Sequence, residues 1–504
     1  MRLKPQTTTE QAQTEAIELP ESQRKQTRMI LIMLLFLPCL VVGLELDNDI
    51  WFLLNSGRYV LQNGIPTIEP FTLHQGFSFL MQQWLSATIF WSIYSKLGAL
   101  GVLALLFVVY VVIVFVVYKL TRLISDNNLA AVFLATLFTA AALKPVMFTR
   151  PMIFTLLILV CELYFVERFI RSGKNVFLIP LPILSILQIN LHAAMWPIQF
   201  VILLPYMIDS FRFKLLFFEG QGFAKRYFFP AIGLMFAAGF LNPYGWDAMT
   251  YVFRSYGYAE INVVMEMMPA DINTPSGKFI FGAFLLLLAI YMLKKNRSTR
   301  LRYALLPLGT AILALSSARS FALFAACGVF PLAYFLKDVT IPEGKIKSKQ
   351  NVLRLRAVLI ALVVLVAGGI FVQRVVKAVQ LGESPAVAQA VAYLSEHENK
   401  DGMVLYTGYN DGGYAEFMGY KPYIDPRAEV FVKKNNHKAD VMKEYYELQF
   451  GALYYKDVLE RYGFTHLLVA KGDILITYLP HDDAYEKIYE DEVYQIYRLK
   501  PGVG

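Results

Sequence analysis

About eleven apolar runs between residues 29 and 377 constrain this chain more than any other feature, because a membrane-crossing helix needs about 20 mostly apolar residues. The runs are centred near residues 37, 110, 136, 159, 184, 203, 235, 286, 310, 328 and 365. Of the 504 residues, 56% are hydrophobic and only 17% are charged. This composition predicts a mainly α, polytopic α-helical membrane protein and excludes an ordinary soluble globule.

Lys and Arg cluster in alternate gaps between the apolar runs. One such gap contains Arg212, Lys214, Lys225 and Arg226, and another reads "KKNRSTRLR". Because basic loops of multi-pass proteins stay on the cytosolic side, we expect these gaps to be cytosolic. The basic excess is therefore assigned to loops beside a membrane and not to a nucleic-acid surface.

This charge pattern predicts the organisation of the whole chain in a plasma (inner) membrane. Residues 1–28 form a cytosolic tail, and residues 29–377 form the transmembrane domain. Residues 46–98 and 242–277 form two long outer loops. Within the first of these loops, the stretch 82–98 is apolar on one face and carries aromatic residues, which indicates a helix lying along the membrane surface.

Residues 378–504 differ in composition from the rest. They carry 13 Lys and Arg against 20 Asp and Glu, a net charge of −7, which leaves +15 for the remainder. An odd number of spans places this region outside the cell, and its pattern predicts a small extracytoplasmic α/β or α+β domain. The predicted elements are a helix at 384–398, a strand at 403–406, a turn "NDGG" at 410–413, a helix near 439–461 and a strand at 466–470.

Ionisable residues gather at the predicted outer ends of the spans. Such groups are unfavourable at the edge of the hydrocarbon and mark a water-filled cavity, a partner or an anionic ligand. The candidates are Asp47, Asp49, Arg58, Glu69, Arg150, His192, Glu266 and Arg319.

Each candidate also has a purely structural interpretation. An aspartate before "IWFLLNSGR" can cap a helix, and arginines at helix ends can reach lipid phosphates. His192 can be a buried, hydrogen-bonded histidine, and Glu69 and Glu266 can be ordinary loop carboxylates. The cluster "IDPRAE" at 424–429 either guides an acceptor or is a turn tied by an internal ion pair.

The stretch "LDNDIWFLLNSGRYVLQNGIPTIEPFT" at 46–72 resembles the opening loop of the GT-C-type membrane glycosyltransferases, bacterial and archaeal branch. Further stretches resemble this family in the same order: "FTRPMIFTLL" at 148–157, "INLHAAMWPIQ" at 189–199, "LNPYGWD" at 241–247, "EMMPADI" at 266–272, "SARSFALF" at 317–324 and "GGYAEFMGYKPYIDPRAEVF" at 412–431. The resemblance implies a GT-C-like helical enzyme. It would transfer a sugar from a polyprenyl-phosphate carrier to an acceptor on the outer face, with its catalytic acid at Asp47 or Asp49.

This chemistry assigns a role to each candidate. Asp47 is the expected general base of an inverting displacement, and Asp49 orients it or holds the sugar. Arg58, Arg150 and Arg319 are expected to bind the leaving phosphate, with His192 as a further donor. The set of predicted substrate- or phosphate-binding residues is completed by Glu69 and Glu266.

Cofactors and acceptor are less constrained. No cofactor is expected, although the Asp-x-Asp spacing can also hold Mg²⁺ or Mn²⁺. The acceptor is a glycan, a lipid or a protein.

Three other functions are compatible with the sequence. A lipid-linked sugar transporter or flippase is one, although such proteins usually contain internal repeats and no convincing repeat is present. A polymerase or ligase of lipid-linked glycans is the second, and a non-catalytic cell-envelope glycan assembly protein is the third.

Overall fold

The computed structural model describes residues 21–41, 43, 46–255, 268–293, 298–339, 361, 365–376 and 384–502. The protein is mainly helical. The α-helices before residue 340 are α1 Glu21–Val41, α2 Ile50–Asn63, α3 Trp84–Ile124, α4 Leu129–Leu143, α5 Met152–Ser172, α6 Pro180–Leu191, α7 Trp196–Asp209, α8 Lys225–Ala238, α9 Trp246–Met249, α10 Val252–Ser255, α11 Pro275–Leu293, α12 Leu301–Ser316, α13 Phe321–Leu323 and α14 Leu332–Phe335.

The later helices are shorter and more polar, apart from α15. They are α15 Leu365–Val376, α16 Ala388–His397, α17 Gly412–Phe417, α18 Lys433–Asn436, α19 Val441–Gln449, α20 Tyr455–Tyr462 and α21 Leu475–Tyr478. Short 3₁₀ turns precede or extend several helices, at Lys144–Val146, Asn175–Leu178, Ala193–Met195, Ala318–Ser320, Ala428–Phe431 and Leu479–His481. A π-helical turn lies at Phe324–Gly328.

Every apolar run predicted from the sequence has its centre inside a helical segment. Within the residues that the structure describes, four segments are long and apolar enough to cross a membrane: Trp84–Ile124, Leu129–Val146, Pro275–Met292 and Ala318–Phe335. Five shorter apolar helices accompany them. The membrane type of the helices therefore agrees with the sequence, and the number of about eleven crossings stays a prediction.

Helix α3 spans 41 residues, about 60 Å, which is twice the thickness of a hydrocarbon core. Gly98 interrupts it with φ 61° and ψ −160°, a conformation that only glycine adopts readily. The break divides α3 into segments 84–97 and 99–124. This boundary coincides with the predicted one between the surface helix and the second span.

Two of the predicted basic gaps meet at one end of the bundle in a three-stranded sheet, ordered β1-β2-β3. Its strands are β1 Arg212–Leu215, β2 Phe218–Gln221 and β3 Thr299–Arg300. Strands β1 and β2 form an antiparallel hairpin that joins α7 to α8, and β3 pairs parallel to β2. The loops before α8 and before α12 are therefore neighbours, as expected for gaps on one side of a membrane.

A four-stranded mixed sheet with flanking helices lies in residues 384–502. Its order is β4-β5-β7-β6, with β4 parallel to β5 and the other pairs antiparallel. The strands are β4 Leu405–Thr407, β5 His466–Ala470, β6 Tyr485–Glu490 and β7 Tyr494–Leu499. The sequence predicted β5 with its observed bounds and β4 within two residues. Strands β6 and β7 were not predicted, and the single helix predicted near 439–461 is two helices, α19 and α20.

The first loop and the C-terminal sheet share one hydrophobic core. Phe71, Phe77 and Phe79 of the loop pack with Tyr423 and Phe431, and all five side chains are buried. Hydrogen bonds also join the two regions, since the Leu73 amide donates to the Pro422 carbonyl at 3.2 Å. The C-terminal residues are thereby held against the segment that carries the candidate aspartates.

Candidate functional site

Asp47, Asn48 and Asp49 form a tight turn directly before α2. The Asp47 side chain accepts a hydrogen bond from the Asp49 amide at 3.0 Å, and the Asp47 carbonyl accepts one from the Ile50 amide at 3.0 Å. The Asp47 amide donates to Thr149 Oγ1 at 3.1 Å. The turn is thus fixed against the segment that leads into α5, about 100 residues later in the chain.

Arg150 lies between the two predicted catalytic carboxylates. Its Nε is 2.8 Å from Asp47 Oδ1, and its Nη2 is 3.2 Å from Asp47 Oδ2 and 3.2 Å from Asp49 Oδ2. The side chains of Arg150, Asp47 and Asp49 remain 24%, 14% and 25% exposed. One arginine therefore orients two carboxylates that water or a substrate can still reach.

The helix-capping interpretation of Asp49 does not account for this arrangement. Asp49 occupies the N-cap position of α2, but its side chain makes no capping hydrogen bond there and pairs with Arg150 instead. The sequence predicts that Arg150 binds the leaving phosphate. In this structure its guanidinium contacts the Asp47 and Asp49 carboxylates and positions them.

A cavity of about 380 Å³ opens beside the pair. One wall consists of Asn48, Asp49 and Arg150, and the opposite wall comes from the C-terminal region. The residues of this opposite wall are Pro385, Ala386, Val387, Asn410, Asp411 and Tyr494. The Asn48 side chain donates to the Asn410 carbonyl at 2.5 Å and joins the two walls. The cavity is large enough for a monosaccharide-sized group.

Asp411 adds a further carboxyl group to this cavity. Tyr494 donates its hydroxyl hydrogen bond to Asp411 Oδ1 at 2.8 Å. Burial raises the pKa of Asp411 to about 6, against the lowering effect of the Tyr494 hydrogen bond, and the charge of Asp473 raises it further. The group therefore changes its charge near neutral pH, opposite Asp49.

The sequence alone does not identify Asp411 as a residue of the candidate site. Its segment "NDGG" was predicted only as a turn, and Asp411 indeed precedes the short helix α17. The available signal was the resemblance of the following stretch, 412–431, to the glycosyltransferase family. The contact with Tyr494, 83 residues later, could not be read from local pattern.

Arg58, a predicted phosphate-binding residue, lies more than two turns along α2 from Asp49. Its Nη2 donates to Asn55 Oδ1 at 2.6 Å and to the Phe417 carbonyl at 2.8 Å. Its guanidinium carbon also lies 5.1 Å from the centre of the Phe417 ring and 5.5 Å from that of Trp91. These contacts fasten α2 to α17 of the C-terminal region.

Glu69 belongs to a buried ionic cluster. Its carboxylate accepts hydrogen bonds from the amides of Phe71 and Thr72, at 2.8 and 3.0 Å, and from Arg427 at 3.0 Å. Arg427 also contacts Asp425 at 2.5 Å and Glu416 at 3.2 Å. The "IDPRAE" turn thus contains the internal ion pair expected from its sequence, and Glu69 ties this turn to the first loop.

His192 and Arg319 lie near the start of α5. His192 is 2% exposed, and its Nδ1 shares a hydrogen bond of 3.0 Å with Thr155 Oγ1. Gln188 donates to both Thr155 and the His192 carbonyl at 3.0 Å. Arg319, half-buried in a 3₁₀ turn, is close enough to act on the charge of His192. This environment matches the interpretation of His192 as a buried, hydrogen-bonded histidine.

The structure therefore brings together Asp47, Asp49 and Arg150 and uses Arg58 and Glu69 to attach the C-terminal region. Glu266 lies outside the described residues. Within the described ranges, no group of three or more His, Cys, Asp and Glu side chains is arranged to hold a metal ion. The Arg150 guanidinium lies between the Asp47 and Asp49 carboxylates in this structure, and the use of Mg²⁺ or Mn²⁺ by the pair stays a prediction.

The sequence matches no family model and no curated protein. Solved structures nevertheless share the fold. The Archaeoglobus fulgidus oligosaccharyltransferase, tethered to an acceptor peptide with an NVT sequon, matches with a TM-score of 0.58 and 12% identity over 94% of this chain and 74% of its own. ArnT from Cupriavidus metallidurans, bound to undecaprenyl phosphate, matches with a TM-score of 0.52 and 10% identity over 96% of this chain and 99% of its own.

Both neighbours are GT-C-type polytopic membrane glycosyltransferases. At these identities the likeness shows the fold, and it extends over nearly the whole chain, including the C-terminal region. The resemblance predicted from the sequence is confirmed at this level. The chain has the GT-C fold.

Proposed function

We propose that the chain is a membrane glycosyltransferase that transfers a sugar from a polyprenyl-phosphate carrier to an acceptor on the outer face of the membrane. The observation that carries this proposal is the pair of aspartates, positioned by Arg150, of which Asp49 lines the cavity, in a GT-C fold. A neighbour with this fold binds undecaprenyl phosphate, and another is tethered to an acceptor peptide. These ligands support a lipid-linked donor and a separate acceptor here.

Geometry favours Asp49 over Asp47 as the general base. Asp49 lines the cavity, whereas the Asp47 carboxylate accepts hydrogen bonds from Arg150 and from the Asp49 amide. Asp47 would thus act as a positioning residue for the turn and for Arg150. This assignment exchanges the roles expected from sequence and keeps both residues in the site.

The proposed reaction is a single displacement. An acceptor hydroxyl oxygen attacks the anomeric carbon while its proton moves to the Asp49 carboxylate. The bond between the anomeric carbon and the phosphate oxygen breaks, and polyprenyl phosphate leaves with the bonding electron pair. Attack opposite the leaving group inverts the anomeric configuration. Arg150 and Arg319 are the proposed cations that stabilise charge on the departing phosphate.

The proposal requires no metal step. Arg150 already supplies a positive charge between the carboxylates. The transferred sugar is a hexose or a pentose, and the acceptor is a glycan, a lipid or a protein.

The test uses the full chain reconstituted in vesicles with a polyprenyl-phosphate sugar. We expect free polyprenyl phosphate to appear in equal amount with the transferred sugar, and the product to have the inverted anomeric configuration. The double variant Asp47→Asn, Asp49→Asn should release none. Movement of intact donor across the bilayer without cleavage would replace the proposal with the flippase alternative, and a retained configuration would exclude the single displacement.

A further inference from the structure

The hairpin of β1 and β2 lies at the end of the bundle opposite the cavity. Helix α5 begins two residues after Arg150 and extends for 21 residues, about 30 Å, which is the thickness of a hydrocarbon core. Its far end carries Glu167, which pairs with Arg302 at 2.9 Å. Arg302 in turn contacts Gln221, the last residue of β2, at 2.9 Å. The hairpin is thus separated from the site by the length of a membrane-spanning helix.

The tip of this hairpin is apolar and exposed. Leu215, Leu216 and Phe217 are 64%, 79% and 47% exposed, and Phe211 at its base is 49% exposed. Leu215 pairs with Phe218, so Leu216 and Phe217 form a two-residue turn. A turn in water would be built from glycine, asparagine or aspartate. Two large apolar side chains at the tip indicate an apolar environment.

The backbone of the turn strengthens this argument. Leu216 has φ +53°, in the left-handed region that leucine rarely adopts. Glycine would satisfy this conformation without strain. The sequence therefore keeps a large apolar side chain at the most exposed position despite an unfavourable backbone conformation.

The hairpin is held firmly enough to present its tip. The Thr299 amide of β3 donates to the Phe217 carbonyl at 2.8 Å, and the Gly222 amide donates to the Asp209 carbonyl at 3.0 Å. Asp209 and Gln221 are both contacted by the buried Arg302. The hairpin is thus attached to β3, α7 and α12, and its tip does not fold back onto the bundle.

The hairpin and the residues that flank it are rich in basic side chains. Segment 211–226 contains Arg212, Lys214, Lys225 and Arg226 against Glu219 alone, a net charge of +3. The Lys214 side chain is 74% exposed. The Lys225 ammonium lies 4.0 Å from the centre of the Phe211 ring, so it remains beside the apolar surface. An apolar tip on a hairpin with a net positive charge matches a bilayer surface that carries anionic headgroups.

We propose that the β1–β2 hairpin docks on an anionic lipid surface. Leu215, Leu216 and Phe217 enter the acyl region, and Arg212 and Lys214 contact lipid phosphates. The hairpin joins α7 and α8, two helices of the bundle, so it meets the same bilayer that surrounds them. This docking fixes the depth of the basic end of the protein in the membrane and is independent of the proposed glycosyl transfer.

The first test measures the environment of the tip. Leu216→Cys in the full chain is labelled with an NBD fluorophore and placed in phosphatidylcholine–phosphatidylglycerol nanodiscs whose acyl chains are brominated as quenchers. Labelled wild-type protein corrects for the three native cysteines. Phe450→Cys, at a 74% exposed position after α19, is the matched control. We expect blue-shifted emission and quenching at residue 216, and neither at residue 450.

Two results would overturn the proposal. Residue 216 could behave like residue 450, with emission typical of water and no quenching. Alternatively, its label could be shielded from water but not quenched, with Leu216→Cys cross-linking between two copies, which would assign the tip to a protein–protein contact.

The second test addresses the headgroup charge. Adding phosphatidylglycerol to phosphatidylcholine should increase the quenching at residue 216, and Lys214→Gln should abolish most of this increase. Lys443→Gln, whose side chain is 58% exposed in the C-terminal region, should leave the increase intact. If Lys214→Gln also left it intact, docking through anionic headgroups would be wrong.

Discussion

Two arginines lie near opposite ends of α5, and each is paired with two carboxylates. Arg150 contacts Asp47 and Asp49, with the three side chains 24%, 14% and 25% exposed. Arg302 contacts Glu167 and Asp209, with the three side chains 5%, 4% and 0% exposed. Each cluster combines one arginine with two carboxylates, and the two clusters differ in how far water reaches these side chains.

This difference separates a reactive group from a structural one. Asp49, beside Arg150, lines a cavity, so a substrate hydroxyl can reach its carboxylate. Those beside Arg302 are enclosed by α5, α7 and α12 and by the β1–β2 hairpin. A buried arginine with paired carboxylates holds helices in register, because removal of one partner leaves an uncompensated charge.

The largest expected effect is a difference in unfolding free energy between variants of the two arginines. Arg302→Ala should lower the free energy of unfolding by about 3–5 kcal/mol, because Glu167 and Asp209 lose their buried partner. Arg150→Ala should lower it by at most about 1 kcal/mol, because its partners can be hydrated. Thermal unfolding in detergent measures both. Equal losses of unfolding free energy in the two variants would contradict the distinction between a buried structural cluster at Arg302 and an accessible one at Arg150.

The next effect concerns the opposite wall of the cavity and its response to pH. The raised pKa of Asp411, about 6, means that the folded protein binds one more proton than the unfolded chain between about pH 4 and pH 6. Stability should therefore fall as pH rises through this window, by roughly 3 kcal/mol for a shift of about two pKa units. Asp411→Asn should lack this contribution.

Unfolding measured from pH 4 to pH 7 tests this prediction. Asp401→Asn, at an exposed turn of the same region, is the control and should retain the wild-type slope. An Asp411→Asn profile with the full wild-type slope would show that Asp411 titrates normally.

A smaller effect tests how Arg150 positions the aspartates. Arg150→Lys keeps the positive charge but loses the planar group that contacts Asp47 and Asp49 together, so turnover should fall by about 10²-fold with stability retained. Release of polyprenyl phosphate measures turnover. Arg171→Lys, in an exposed pair with Asp126, is the matched control and should retain activity. Wild-type turnover of Arg150→Lys would mean that charge alone suffices.

The smallest effect distinguishes Arg58 from Arg150. Arg58→Lys should lower stability by about 1 kcal/mol, because it loses planar contacts with Trp91 and Phe417. Turnover per folded molecule should not change if Arg58 only attaches α17 to α2. A loss of turnover with normal stability would instead support the phosphate-binding role predicted from sequence.

The sequence predicted those features that local pattern determines. Apolar runs located the helices, and the composition around Gly98 placed the break in α3. The resemblance in the first loop located Asp47 and Asp49, and the "IDPRAE" turn contains its expected ion pair. Each of these features is encoded within about 20 neighbouring residues.

Contacts between distant residues could not be predicted in the same way. Arg150 meets Asp47 across 103 residues, and Glu69 meets Arg427 across 358 residues. The first pairing depends on the packing of the first loop against the segment before α5, and the second depends on its packing against the C-terminal region. No local pattern records either packing. Arg58 and Glu69 are predicted to bind substrate or phosphate; in the structure their side chains contact the C-terminal region, and the binding role stays a prediction.

The most direct test of the account is turnover of Asp49→Asn per folded molecule. The variant keeps the size of the side chain and removes its ability to accept a proton, so release of polyprenyl phosphate should fall by about 10²–10⁴-fold with normal thermal unfolding. Asp401→Asn, the exposed control, should keep wild-type turnover. Wild-type turnover in Asp49→Asn would contradict the claim that the reaction takes place at the aspartate pair held by Arg150.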